Sequence, residues 1–324
     1  GFNTTKRGGV AGVYGLGVVR VYHGRATAIF GPVALALVAD LFSRERGEKM
    51  GWYSSATLIG RSAAPLIGGT ILGASVAGSL MGYRVVYLAC GIGGLAALSL
   101  ALRLPAESAP PRVTHPATGE KWREVKRGLG EVLSHTGILF TSAAEATQFL
   151  AYGAMETFVP LYALQIGLNA YEIGLLLGLQ VTVLTLTKPV MGRISDRTGR
   201  RGQIVAGLLL GSFGMILIPF CSSFWSLLPA SLAFGLSMAS VTASTAALVS
   251  DLARAGSCGA AMGTMSMIMD VGHASGPVVS GLLISAYGYR VGFVTIGVTL
   301  AMVSLLFPLV VRSPRASGVG RQGG

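Results

Sequence analysis

Ala36-Leu37-Val38-Ala39-Asp40-Leu41 returns far along the chain as Ala247-Leu248-Val249-Ser250-Asp251-Leu252. The residues after each copy also match. Met50-Gly51, eight residues and Gly60 return as Met262-Gly263, eight residues and Gly272. Pro65 and Gly69 return as Pro277 and Gly281, 212 positions on (277 minus 65). Gly82-Tyr83-Arg84-Val85 returns as Gly288-Tyr289-Arg290-Val291, shifted because the second copy has six fewer residues on the way. Both copies read as a span, a polar loop, a Gly/Pro-interrupted span, a short turn and another span. Chance likeness between apolar segments does not explain matching Gly, Pro, Asp and Arg across four blocks. Parallel repeats related by an axis along the membrane normal enclose a site near the bilayer midplane.

Composition sets the solvent. Of 324 residues, 52% are hydrophobic, 12% are charged and 47 are glycine. A soluble domain carries roughly twice that charge, so this chain cannot cover itself with polar surface in water. A hydrocarbon core about 30 Å thick needs roughly 20 mostly apolar residues per helical crossing. About nine such runs stand near residues 17–41, 51–75, 84–105, 136–163, 170–190, 203–223, 226–250, 262–287 and 290–311. They are too long and continuous for barrel strands, so the expected class is an all-α polytopic membrane protein. The longest polar break, residues 106–135, holds Pro110, Pro111, Pro116 and a charged stretch, as a solvated linker would.

The net charge of +12 is distributed by topology. Arg44, Arg46, Lys49, the stretch from Arg112 to Arg127, the cluster from Arg193 to Arg201 and Arg254 fall in alternate loops, while the opposite loops offer only Arg84 and Arg290. That asymmetry puts the basic loops in the cytoplasm and argues against nucleic-acid binding. Cys90, Cys221 and Cys258 are isolated, without metal spacing, and read as small apolar residues. His115 and His135 fall in the linker. No phosphate-binding loop, nucleophile elbow or metal cluster appears, so neither an enzyme nor a cofactor is expected. No signal peptide or initiating Met is visible, and residue 1 is not expected to be a natural start.

Three motifs resemble the major facilitator superfamily, specifically its drug/proton antiporter branch. Gly51-x8-Gly60-x3-Ala64-Pro65-x2-Gly68-Gly69 is similar to the antiporter motif of the family's fifth helix, with Ala64 where Gly is usual. Gly192-Arg193-Ile194-Ser195-Asp196-Arg197-Thr198-Gly199-Arg200-Arg201 resembles the cytoplasmic loop motif, in its second copy between helices eight and nine. Arg20-x2-His23-Gly24 is similar to the fourth-helix motif, with His23 where Gln is usual. The resemblance covers residues 17 to 312 and implies a partial fold, the family's helices four to twelve. The implied domains are an atypical end (1–16), three helices of the first bundle (17–105), a cytoplasmic linker (106–135), a complete six-helix bundle (136–312) and a cytoplasmic tail (313–324).

Physical reading of these residues gives candidate roles. Gly192 and Gly199 permit a tight turn. Asp196 can cap a helix start or pair with Arg197, Arg200 or Arg201. In the family this cluster is a latch, and by symmetry Asp196 would sit near the start of the fifth helix at Met50-Gly51. Gly51, Gly60, Gly68, Gly69 and Pro65 allow close packing and a bend. Arg61 lies within this span, where a charge costs at least a few kcal/mol unless paired or hydrated. Thr141, Glu145, Gln148, Tyr152 and Glu156, spaced four, three, four and four, form one polar stripe expected to face the interior cavity. Asp270 is expected at similar depth, with Ser266 and His273 on its face. Desolvated carboxylates there could take and release a proton. Glu145 and Asp270 are therefore the candidate proton carriers, with Arg20 or Arg61 modulating them. Lys188, beside Pro189, reads as a snorkelling side chain.

The implied function is proton-coupled efflux of a small hydrophobic or cationic compound by a multi-pass protein of the inner cell membrane. Lipid, protons and substrate are its expected partners, and it is expected to act as a monomer. The alternatives are a metabolite or nutrient symporter of the same fold, and a truncated fragment or scaffold that moves nothing.

Overall fold

A computed structural model describes residues 15, 17–19, 21–26, 30, 34, 37, 46–74, 81–103, 126, 130, 134–253 and 258–311 of the chain. The side chains of residues 46–52, 54, 55, 58 and 258–260 fall outside the description, as do Arg20 and both termini. All regular structure among the described residues is helical. The helices are α1 (Arg46–Gly73), α2 (Met81–Ala101), α3 (Thr136–Gln165), α4 (Ala170–Thr198), α5 (Arg200–Leu217), α6 (Phe224–Leu252) and α7 (Cys258–Val310), with a 3-10 turn at Ile218–Phe220. Gly288, at φ 81°, breaks α7 into two arms, 258–287 and 289–310. Contacts group into residues 1–60 with 97–115, and residues 61–96 with 116–324. The second group holds the candidate site.

Five helices, α2, α4, α5, α6 and α7, are long and apolar enough to cross a membrane. Counting α7 as two arms, they occupy six of the nine expected runs. α1 and α3 occupy two more, and their polar residues turn out to be functional candidates. The first run, 17–41, lies largely outside the described residues.

Local chemistry sets the helix ends. Asn169 accepts from the amide of Glu172 at 2.9 Å, and Glu172 accepts from that of Asn169 at 2.8 Å. This reciprocal pair satisfies two amides that would otherwise lack partners at the start of α4. Ser223 and Ser226 do the same for α6. Gly199, at φ 97°, ends α4 and starts α5, a backbone conformation that costs a glycine little.

The core lies within the bundle of α3 to α7, around Phe234, Phe293, Phe307, Met155, Leu176 and Leu208. Lipid tails are as apolar as leucine, so helices in a bilayer associate through close packing and hydrogen bonds. The first arm of α7 therefore meets α3 on a seam of small residues. A Cβ on Gly276 would lie 3.0 Å from the amide nitrogen of Ala154, and one on Gly153 would lie 3.0 Å from Pro277 Cδ. In the same way α1 approaches α4, where a Cβ on Gly69 would lie 2.7 Å from Gly174 Cα.

Candidate functional site

Four residues of the α3 stripe are buried: Thr141 0%, Glu145 3%, Gln148 0% and Tyr152 6% exposed. The first three point into packed protein instead of an open cavity. Their partners explain why. α6 carries Ser231, Ser237, Ser240, Thr242, Ser244 and Thr245 on an otherwise apolar helix, all buried. Gln148 Nε2 donates to Ser237 Oγ at 3.0 Å, and that hydroxyl donates to the Gly207 carbonyl at 2.6 Å, tying α3, α6 and α5 together. Ser231 donates to Gln180 of α4 at 3.1 Å, and Gln203 of α5 donates to Ser240 at 2.9 Å. Sequence reasoning missed Ser231, Ser237, Thr245, Gln180 and Gln203. The density of hydroxyls along 231–245 was the signal for them.

Glu145 is the one acid buried in this polar interior among the described residues. Its carboxyl group bonds the Thr245 hydroxyl, and Lys188 of α4 acts on it electrostatically. Thr245 Oγ1 is also placed to donate to the Val241 carbonyl at 2.9 Å. A hydroxyl has one proton to give. The hydroxyl can therefore serve the Val241 carbonyl or the Glu145 carboxylate, not both at once. An ionised Glu145 would need Thr245 to release Val241 and turn toward it. The other oxygen, Oε2, has no partner, and Ser142, Gln148, Thr185 and Ser244 likewise hold a buried unpartnered oxygen.

A second cluster lies further along α3. Glu156 Oε2 stands 3.2 Å from His273 Nε2 of α7, both partly exposed. Tyr152 and His273 rings lie 5.4 Å apart, with Phe149 closing the group at 6.2 Å and 6.0 Å. Arg61 of α1 bonds Tyr152 and acts on Glu156. His273 thus joins α7 to α3 through Glu156.

Asp270 does not join these residues. It is exposed, on the face of its helix turned away from α3. The cause is the seam: Gly272 and Gly276 are buried toward α3, and a residue two positions away sits about 200° round a helix.

At the loop motif between α4 and α5, Arg200 bridges two acids. Its Nη1 lies 2.7 Å from Asp196 Oδ1, and its Nε bonds Asp251 at the end of α6. Asp251 belongs to the repeated Ala-Leu-Val-x-Asp-Leu block. Arg201 donates to the Pro308 carbonyl of α7, while Arg197 is exposed. Asp196 does not cap α5, whose start is Gly199 with no side-chain cap. The expected meeting of Asp196 with Met50-Gly51 involves side chains outside the described residues. Of the α1 motif, Gly69 and Pro65 make the close approach to α4; a Cβ on Gly60, Gly68 or Gly192 would meet nothing within 4 Å.

A model of the Major Facilitator Superfamily matches residues 8–184 and 163–323. The chain belongs to that superfamily. A multi-drug resistance efflux pump PmrA homolog of Lactococcus lactis subsp. lactis (strain IL1403) is 29% identical over 160 residues, covering 48% of this chain and 39% of the relative. The multidrug resistance protein MdtG of Rahnella sp. (strain Y9602) is 30% identical over 154 residues, 46% of this chain and 37% of the relative. The chain thus spans about two fifths of the length of the curated relatives it matches. Among solved structures, a bacterial homolog of the human lysosomal transporter Spinster, inward-facing and occupied, matches at TM-score 0.70 and 16% identity, covering 87% of this chain and 74% of that one. This major facilitator chain is therefore an all-α, multi-pass membrane protein of a transporter family.

Proposed function

We propose that this major facilitator chain forms part of a proton-coupled exporter of small hydrophobic or cationic compounds in the cell membrane, with Glu145 as the coupling group. The observation that carries the proposal is the buried carboxyl group of α3, with one oxygen unpartnered and, beside it, the Thr245 hydroxyl of α6, which also has the Val241 carbonyl to serve. Turning the Thr245 proton from the Val241 carbonyl to the carboxylate gives each protonation state of Glu145 its own local structure. Arg61, Tyr152, Glu156 and His273 would form the adjoining substrate wall, with aromatic faces and a carboxylate suited to a lipophilic cation. Asp270, exposed and unpaired among the described residues, is the weaker candidate for a second carrier. Multidrug efflux in the names of the relatives supports export over symport.

The test is gradient-driven transport. Proteoliposomes holding the chain, with a fluorescent lipophilic cation outside and an acidic lumen, should accumulate dye until a protonophore is added. Glu145→Gln should abolish the gradient dependence. Equal accumulation by wild type and variant would overturn the role of Glu145, and gradient-independent dye distribution in both would overturn the antiport reading.

A further inference from the structure

Arg84 and Arg290 hold the same place in the two copies of the Gly-Tyr-Arg-Val block, and they are the two basic residues expected on the side opposite the basic loops. Their surroundings differ. Arg290 lies over the Phe220 ring at 4.8 Å. Arg84 is exposed on α2 and, among the described residues, has no acid or ring for a partner. A cavity of about 560 Å³ opens beside it, lined among the described residues by Arg84, Tyr87, Leu88, Gly91, Ile92 and Leu95. These positions are spaced three, one, three, one and three, so they form a single stripe along the helix. From Arg84 to Leu95 is 11 positions (95 minus 84), or about 16 Å at about 1.5 Å per residue. Half of a hydrocarbon core about 30 Å thick is about 15 Å. Tyr83 and Tyr87 are exposed beside Arg84, and such aromatic residues sit at headgroup level. The groove thus runs from the headgroups to the bilayer midplane, with its charge at the shallow end and apolar side chains beyond.

We propose that this groove binds an anionic phospholipid, with its phosphate on Arg84 and one acyl chain along Leu88, Gly91, Ile92 and Leu95. Charge complementarity selects the headgroup. A guanidinium bonds a phosphate through two parallel N–H donors. With no acid beside it, Arg84 favours a headgroup of net negative charge over a zwitterionic one, whose ammonium it repels. The walls select the rest. Beyond Tyr87 the lining offers no polar side chain, so a free phosphate would leave the apolar length of the groove uncovered. Gly91 supplies the space: a Cβ there would meet nothing within 4 Å, which leaves room for a chain at the middle of the stripe. A second copy of the protein does not suit this face. Two copies with the same orientation in the bilayer, paired through this stripe by a two-fold axis, would set Arg84 against Arg84. A bound lipid instead neutralises Arg84 and covers a helix of which only Gly82 is buried.

The test is lipid selection in vesicles. The full chain carries Trp52→Phe, Trp122→Phe and Trp225→Phe, and Leu98→Trp then places its sole tryptophan one turn past the deep end of the groove. It is reconstituted in phosphatidylcholine containing increasing fractions of phosphatidylglycerol or phosphatidylcholine with brominated acyl chains, which quench tryptophan fluorescence on contact. Brominated phosphatidylglycerol should compete for the site about fivefold better than brominated phosphatidylcholine, as one arginine beside an anionic lipid provides. Arg84→Lys should keep most of that preference, and Arg84→Gln should lose it. Gly91→Leu fills the groove without meeting other protein atoms near its Cβ and leaves the charge in place; it should lose the preference too. Equal quenching by the two lipids in the parent would overturn the proposal, as would a preference that survives Arg84→Gln. A preference that survives Gly91→Leu would also overturn it, because the attraction would then belong to the charge alone and not to a groove.

Discussion

Gly272→Ala is a small change on which the geometry makes a sharp statement. Gly272 lies on the seam between α3 and the first arm of α7, and a Cβ there would stand 2.8 Å from the carbonyl carbon of Ala146 and 2.9 Å from its Cα. The Ala146 carbonyl oxygen is nearer still, and ordinary contact begins at 3.4 Å, so the two helices must separate locally by at least about 0.6 Å (3.4 minus 2.8). The obstructing atoms are backbone and cannot rotate away. Overpacking of this kind costs typically about 1 to 3 kcal/mol, and a gap of about 0.5 to 1 Å opened along the seam forfeits a quarter to a half of each dispersion contact. Gly263→Ala, on the same arm, is the control, because a Cβ there meets nothing within 4 Å. Any gain in helix propensity, about 1 kcal/mol in water, applies to both variants and cancels in their difference. Cys221 is buried and Cys90 exposed, so unfolding can be followed by the reaction of Cys221 with a thiol dye in a chain with serine at 90 and 258. Gly272→Ala should melt below Gly263→Ala by about 3 °C for each kcal/mol. Coincident melting curves would refute the close approach of α3 and α7.

Three more outcomes rest on named contacts. Ser237→Ala leaves the Gln148 amide without its partner, and should lower stability by about 0.6 to 1.7 kcal/mol; adding Gln148→Leu should recover part of the loss, measured as a non-additive double-mutant cycle. Arg200→Gln removes two ion pairs whose acids are 61% and 47% exposed. Each pair is therefore worth at most about 1 kcal/mol and should weaken with salt, so thermal midpoints of Asp196→Asn and Asp251→Asn should each fall less than that of Arg200→Gln. Asn169→Ala should cost about 1 kcal/mol by leaving the Glu172 amide unpaired, read as faster amide exchange over the first turn of α4.

Architecture was legible because a bilayer enforces long apolar runs and because the chain repeats itself. Six of the nine expected runs coincide with described helices that pass on composition alone, and Gly288 breaks α7 where the second Gly-Tyr-Arg-Val block begins. The spacing of the α3 stripe placed Glu145, Gln148 and Tyr152 on one face, but periodicity cannot tell a cavity from a neighbouring helix. The hydroxyls of α6 decided that, and they are nonlocal partners. The direction in which Asp270 faces was hidden for a related reason. Depth along a helix is readable from counting, whereas rotation is set by the seam glycines Gly272 and Gly276.

Antiport requires that proton and substrate compete for one protein state, so the most direct test measures them together. The purified chain in weakly buffered detergent solution, mixed with a lipophilic cation at a pH where Glu145 holds its proton, should release close to one proton for each molecule bound. Glu145→Gln should bind the cation and release none. Proton release from Glu145→Gln equal to that of the wild type, or cation binding to the wild type with no proton released, would contradict the account.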